Sequence, residues 1–221
     1  MKIKDMVIVV TGANGATARG IIQHFKNKAK AVVGTLRNFD SRWVEKEGVF
    51  YTKCDLAELD QIEGCIELIR DRLGLPHVWI NTVGGFTMGK PVEDCINEWE
   101  KMHLINFKTT LNCIKNILPI MIENEFGRIV NFGSRAGEKG MAMAGPYSVS
   151  KSSIHNLTKT ISLEVVGNIT CNAVLPEIID TPTNRETMPD ANFDSWSKPV
   201  DIADKIESIL TSKANGQLIY V

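Results

Sequence analysis

Tyr147 and Lys151 stand four residues apart in Tyr147-Ser148-Val149-Ser150-Lys151. If the segment is helical, both lie on one face. A free phenol titrates near about pH 10 and is a poor proton donor and acceptor at neutrality. Lowering it by about three units takes about 4 kcal/mol. One ammonium about 4 Å away, at an effective dielectric of about 20, supplies roughly that amount. The pair is thus chemically sufficient as a general acid/base, although the same spacing is common on plain helix surfaces. A hydroxyl, Ser134, closes the run Asn131-Phe132-Gly133-Ser134 thirteen residues before Tyr147.

Other candidate residues follow short apolar runs. After Met6–Val10 comes Thr11-Gly12-Ala13-Asn14-Gly15-Ala16-Thr17-Ala18. Its glycines allow a sharp turn and close backbone approach to a pyrophosphate, and a helix N-terminus behind it adds positive potential. An ordinary β–α turn is the competing reading. Leu36-Arg37 follows the second run. An acid there would hold a ribose 2′-hydroxyl, whereas Arg37 suits a 2′-phosphate, or else is a plain surface arginine. Asp55 either accepts from an adenine amino group or caps the next helix. Asn81-Thr82-Val83-Gly84-Gly85 forms a second glycine turn.

The elements that position these residues read clearly. Strands are expected at 6–10, 31–36, 49–53, 78–80, 128–132, 169–175 and 217–220, apolar on consecutive positions as in a sheet covered on both faces. Helices are expected over 16–28, 57–73, 92–122 with an interior break, 146–166 and 200–212. Pro146 suits a first helical turn, and Gly74 and Pro76 a helix end. Strict alternation predicts an α/β fold, one Rossmann-type doubly wound parallel sheet of about seven strands in a single domain over 1–221. Ligands bind such sheets at the carboxyl ends of the strands, where all the candidates lie.

Composition removes several classes of function. Lys+Arg 25 against Asp+Glu 26 leaves net −1 in 221 residues, with no basic excess for nucleic acid. Cys54, Cys65, Cys95, Cys113 and Cys171 are scattered without metal-ligand spacing. With no secretory leader evident, they predict reduced thiols in a cytoplasmic protein. The apolar stretch 102–122 is broken by Lys108 and Lys115 and reads as a buried helix, not a membrane span.

Taken together, the motifs resemble the short-chain dehydrogenase/reductase family along the whole chain. That family carries a glycine turn after the first strand, here Thr11–Ala18, and an Asn-x-x-Gly turn, here Asn81–Gly84. It also carries an Asn matched by Asn106, and a Ser followed thirteen residues later by Tyr-x-x-x-Lys, matched by Ser134, Tyr147 and Lys151. A Pro-Gly-x-x-x-Thr segment corresponds to Pro176–Thr181, with Glu177 in place of the Gly. Ala16 and Ala18 stand where the commonest pattern has glycines. The stretch 175–196 and Gly84-Gly85 are more similar to the quinonoid dihydropteridine reductase branch, which generally lacks the Ser and Asn and favours NADH.

The resemblance implies hydride transfer to a carbonyl carbon, with Asn106, Ser134, Tyr147 and Lys151 catalytic. Tyr147 would supply the proton. Lys151 would hold the nicotinamide ribose and depress the Tyr147 pKa, Ser134 would bond the substrate oxygen, and Asn106 would support a water-linked proton path. It implies a nicotinamide cofactor on Gly12, Asn14, Gly15, Ala16, Thr17, Arg37, Asp55, Leu56, Asn81, Val83, Gly84, Tyr147, Lys151, Pro176, Ile178 and Thr181. Arg37 with Leu36 makes NADP (NADPH) the expected cofactor over NAD. Phe86, Met88, Met141, Met143, Met188 and Trp196 are pocket-wall candidates or core residues. His24, His77, His103 and His155 match no catalytic position and are read as structural or surface residues. The expected partners are a small-molecule carbonyl substrate and further copies of the chain, as a homodimer or homotetramer, because the helices at 103–122 and 146–166 are apolar on more than one face. A dihydropteridine reductase-like enzyme and a non-catalytic nucleotide-binding regulator are the alternative readings.

Overall fold

The computed structural model describes residues 1–89 and 96–221. The start of the helix expected from 92, and Cys95, lie outside them. Among the described residues one eight-stranded sheet runs β3-β4-β2-β1-β5-β6-β7-β8. The strands are β1 (Val7–Val10), β2 (Ala31–Leu36), β3 (Trp43–Lys46), β4 (Val49–Lys53), β5 (Val78–Asn81), β6 (Phe126–Phe132), β7 (Asn168–Leu175) and β8 (Leu218–Tyr220). Seven are parallel and match the expected runs. The eighth, β3, is an antiparallel edge strand that the sequence reading did not anticipate.

The crossovers are α1 (Ala16–Phe25), α2 (Leu59–Leu73), α3 (Ile96–Met102) running through a π-helical turn at His103–Lys108 into α4 (Thr109–Glu123), α5 (Ala136–Lys139), α6 (Gly145–Glu164), α7 (Pro182–Thr187) and α8 (Pro199–Thr211). Pro146 falls in the first turn of α6, and Gly74 caps α2 with φ +93°. No helix among the described residues is long and apolar enough to cross a membrane.

Alternation along the strands divides the core. Met6, Ile8 and Val10 pack with Ile21, Phe25, Ile202 and Ile206 beneath α1 and α8. Val7 and Val9 face the other way, toward Ile62, Ile66, Trp79, Ile114 and Ile117 beneath α2 and α4. Each fully buried side chain of this size contributes about 1.5–3 kcal/mol, so the sheet is a rigid platform for its carboxyl edge. Cys54, Cys65, Cys113 and Cys171 are buried free thiols within this packing.

Candidate active site

The chain leaves β2 and β4 on one side of β1, and β5, β6 and β7 on the other. The connections therefore diverge between β1 and β5, the place where open α/β sheets bind ligands. Thr11 bridges the split. Its N–H donates to the Ile80 carbonyl at 3.0 Å, and its hydroxyl oxygen accepts from Thr82 N–H at 3.0 Å. Gly12 turns away at φ +64°, and a β-carbon there would stand 2.7 Å from Val83 Cγ2. Only glycine fits both the angle and the space. Gly15 then heads α1 with no side-chain cap, so its first-turn amides are left to other acceptors. With Asn14 and Gly15 exposed, this turn fits a pyrophosphate. Ala18 is buried in the core beneath α1, so its methyl group is spent on packing.

Leu36 is buried and Arg37 exposed, with no ion pair to Arg37 among the described residues. Asp55 does not cap α2, whose N-cap is Glu58. Its carboxylate accepts from Ala57 N–H at 3.0 Å and shapes the turn instead. Leu56 is buried, and its carbonyl accepts from Asn112. The Asn81 side chain is turned into the sheet, which leaves its backbone for a cofactor. It is buried, accepts from Trp79 Nε1 at 3.0 Å and donates to Asn131 Oδ1 at 2.9 Å, which consumes it within the sheet. Beyond β7, Pro176 is buried, the Ile178 carbonyl accepts from Ser197 N–H, and the Thr181 hydroxyl accepts from Asn184 N–H to cap α7.

Asn106 lies in the π-helical turn between α3 and α4. Extra-wide turns of this kind recur at functional sites. Its side-chain oxygen accepts from Gly85 N–H at 2.8 Å. Its amide donates to the Gly85 carbonyl at 3.1 Å and to Ser150 Oγ at 2.9 Å. Ser150 passes the link on by donating to the Tyr147 carbonyl at 2.7 Å. A β-carbon on Gly84 would come within 2.7 Å of Asn106 Oδ1 and 3.4 Å of Lys151 Nζ. The second glycine turn thus clears space for both side chains.

Tyr147 and Lys151 occupy one face of α6, as their spacing predicts, with Lys151 Nζ 5.9 Å from the Tyr147 ring centre. Lys151 is buried, donates to the Phe132 carbonyl at 2.7 Å, and has its pKa lowered by burial to about 8. The expected depression of Tyr147 is corrected. Burial raises the phenol pKa, and interaction with the Ser134 hydroxyl only partly offsets this. The Phe86 ring packs edge-on to Tyr147, 4.8 Å between centres, and is itself well exposed. Met88, Met141 and Met143 are exposed on loops joined by Gly89 N–H to the Met143 carbonyl at 2.9 Å, and Met188 is half-buried. Trp196 is buried against Phe193, a core residue and not a pocket wall.

One contact escaped the sequence reading. The His155 ring reaches Ser134, with Nε2 3.3 Å from the Ser134 amide nitrogen. The available signal was spacing, because His155 is one helical turn beyond Lys151.

The short chain dehydrogenase family profile matches residues 6–192, and the chain belongs to that family. It is an oxidoreductase of the short-chain type, in a family that binds nicotinamide cofactors. An uncharacterized oxidoreductase of Staphylococcus saprophyticus is 27% identical over 214 residues, covering 92% of this chain and 90% of the relative. A 3-oxoacyl-[acyl-carrier-protein] reductase of Thermotoga maritima is 26% identical over 241 residues, covering 100% and 98%. Among solved structures, the ligand-free aldohexose dehydrogenase of Thermoplasma acidophilum superposes with TM-score 0.87 at 25% identity, covering 99% of this chain and 93% of that one. ElxO with NADP bound superposes with TM-score 0.89 at 22% identity, covering 100% and 97%, and shares the fold.

Proposed function

We propose that this chain is an NADP-dependent carbonyl reductase. The observation that carries the reading is the convergence of Ser134, Tyr147, Lys151 and Asn106 at one sheet edge, beside an uncapped glycine turn. A nicotinamide cofactor held here would supply the hydride. Ser134 donates a hydrogen bond to the substrate oxygen as negative charge develops there. Tyr147, protonated at neutral pH as an ordinary phenol is, gives that oxygen its proton. Lys151 retains spare N–H groups beyond its bond to Phe132 and holds the nicotinamide ribose hydroxyls. Asn106 and Ser150 fix the Tyr147 backbone and the approach to Lys151.

The glycine turn, Arg37 and the Pro176–Thr181 segment hold the remainder of the cofactor. Leu36 in place of an acid supports NADP, and the bound NADP in the ElxO structure is consistent with that choice. The name of the Thermotoga relative supports β-keto thioesters as substrates to be tried first. Phe86 beside Tyr147 favours substrates with a flat or apolar face.

Tyr147→Phe tests the reading. Turnover on a panel of β-keto thioesters and diketones should fall about a hundredfold or more, with NADPH affinity nearly unchanged. Retention of most activity would remove Tyr147 from the chemistry. In the same panel, activity on quinonoid dihydropterin that persists in Ser134→Ala, without ketone reduction, would favour a dihydropterin reductase.

A further inference from the structure

Ser134 sits where β6 gives way to α5, and a hydroxyl is useful to a carbonyl oxygen only if its backbone is held. Three contacts hold this corner from within the loop and the sheet. Gly133 N–H donates to the Val174 carbonyl at 3.0 Å, Gly137 N–H donates to the Ser134 carbonyl at 2.9 Å, and Ala136 N–H donates to Ser134 Oγ at 3.2 Å. The Ser134 amide itself is buried and points at His155, where it donates to Nε2 at 3.3 Å. We infer that His155 is a positioning residue for Ser134: its neutral ring holds the Ser134 backbone through Nε2, and protonation of the ring releases it. The inference rests on the proposed use of Ser134 as the donor to the substrate oxygen.

The bond specifies the chemistry of the ring. An imidazolium has no acceptor, so the ring must be neutral with its proton on Nδ1. The corner is shaped for this ring. A β-carbon on Gly133 would stand 2.5 Å from Nε2, and one on Gly137 2.7 Å from Cε1. Both glycines bracket the imidazole, and a side chain at either position would drive it off Ser134. His155 also lies one turn beyond Lys151 on α6, so one helix face positions the phenol, the ammonium and the serine backbone together.

The charged surroundings decide when the bond exists. Burial favours the neutral ring, with Lys151 and Lys159 on its own helix acting in the same sense. Glu138 from α5 acts against them. The Glu138 carboxylate also accepts from the Tyr220 hydroxyl of β8, at 2.8 and 2.9 Å to its two oxygens. The net effect lowers the His155 pKa, so the bond is kept at neutral pH and lost only as pH falls below the ordinary imidazole range.

Two readouts test this. With [15N]serine-labelled protein, the Ser134 amide is assigned by its loss in Ser134→Ala and followed from about pH 8 to about pH 5. It should titrate together with the His155 ring in the unmodified protein and stay fixed in His155→Gln. In parallel, kcat and KM are measured with NADPH and a diketone. His155→Leu should lower kcat about tenfold or more with little change in the KM for NADPH. His155→Gln, which restores a neutral acceptor, should recover most of that loss and flatten the acid limb of the kcat profile. In a Ser134→Ala background, His155→Leu should add little further loss. A Ser134 amide indifferent to both pH and His155→Gln, or an equal kcat loss in both backgrounds, would overturn the inference. If the amide titrates but Ser134→Ala leaves turnover intact, the hydrogen bond is upheld, and it is the assignment of Ser134 as oxygen donor that fails.

Discussion

Lys151 donates to the Phe132 carbonyl at 2.7 Å, and this buried ammonium makes no ion pair among the described residues. A cation buried this way destabilises the folded chain unless something else compensates. Its pKa of about 8, against an ordinary lysine value of 10.5, gives the sign. Between those values the unfolded chain holds a proton that the folded chain has released, so raising the pH through this window stabilises the fold. Lys151→Met lacks that linkage. The melting temperature of the variant relative to the unmodified protein should therefore decline as pH rises from about 7 to about 10. A difference constant across that range would show that Lys151 is not burdened by burial. The variant should also bind NADPH more weakly.

Arg37 projects into solvent at the end of β2, with buried Leu36 before it. A charge-assisted pair with a 2′-phosphate contributes about 1.5–3 kcal/mol. Arg37→Ala should weaken NADPH about tenfold or more and leave NADH almost unaffected, as read by fluorescence titration. Equal affinity for the two cofactors in the unmodified protein would contradict the assignment.

At the opposite edge of the sheet, Val7 N–H donates to His77 Nδ1 at 3.0 Å. Burial, then the Lys30 charge, lowers the His77 pKa. The unfolded chain accordingly takes up a proton first as pH falls below the ordinary value of 6.5, and stability declines from there. His77→Gln keeps an acceptor without a titrating ring and should flatten part of the decline in melting temperature. An unchanged acid slope in the variant would exclude His77 as a source.

The outer faces of α4 and α6 form a groove lined by Leu111, Leu118, Pro119, Ile122 and Ile161, and Leu163 and Val166 nearby are 86% and 75% exposed. A second copy of the chain is the occupant proposed for this surface. Light scattering should give at least twice the chain mass of 24.5 kDa, and Ile122→Glu should shift it toward that of one chain. A single-chain mass for the unmodified protein at micromolar concentration would count against the assembly.

Much of this architecture is legible in the sequence, for reasons visible in particular residues. Val7–Val10 is buried along its full length, which makes its apolar run unambiguous. Ser134, Tyr147 and Lys151 are marked by their spacing together with the family resemblance, because four residues on a helix make one face but do not by themselves make a site. Trp43–Lys46 is not legible. It is half-buried to exposed and polar at its end, and only the two-residue turn Glu47-Gly48, with both φ angles positive, signals the hairpin. The wide turn around Asn106 is foreshadowed only as an interior break within 92–122, since the ordinary helical residues that fill it do not mark its place. The upward shift of Tyr147 depends on packing that periodicity does not encode. The side-chain bonds of Asn81 to Trp79 and Asn131 likewise depend on packing that its position in the sequence does not encode.

The antiparallel strand β3 has a consequence for the behaviour of the protein in a crowded solution. Without it, β4 would present a bare row of amides and carbonyls, a template for strands of other molecules. β3 covers that row and offers its own outer margin in its place, where Glu45 and Lys46 are exposed and the strand is only four residues long. A foreign strand docking there would have to desolvate both charges for very few ladder bonds. Brevity and charge thus blunt the β3 margin against edge-to-edge aggregation.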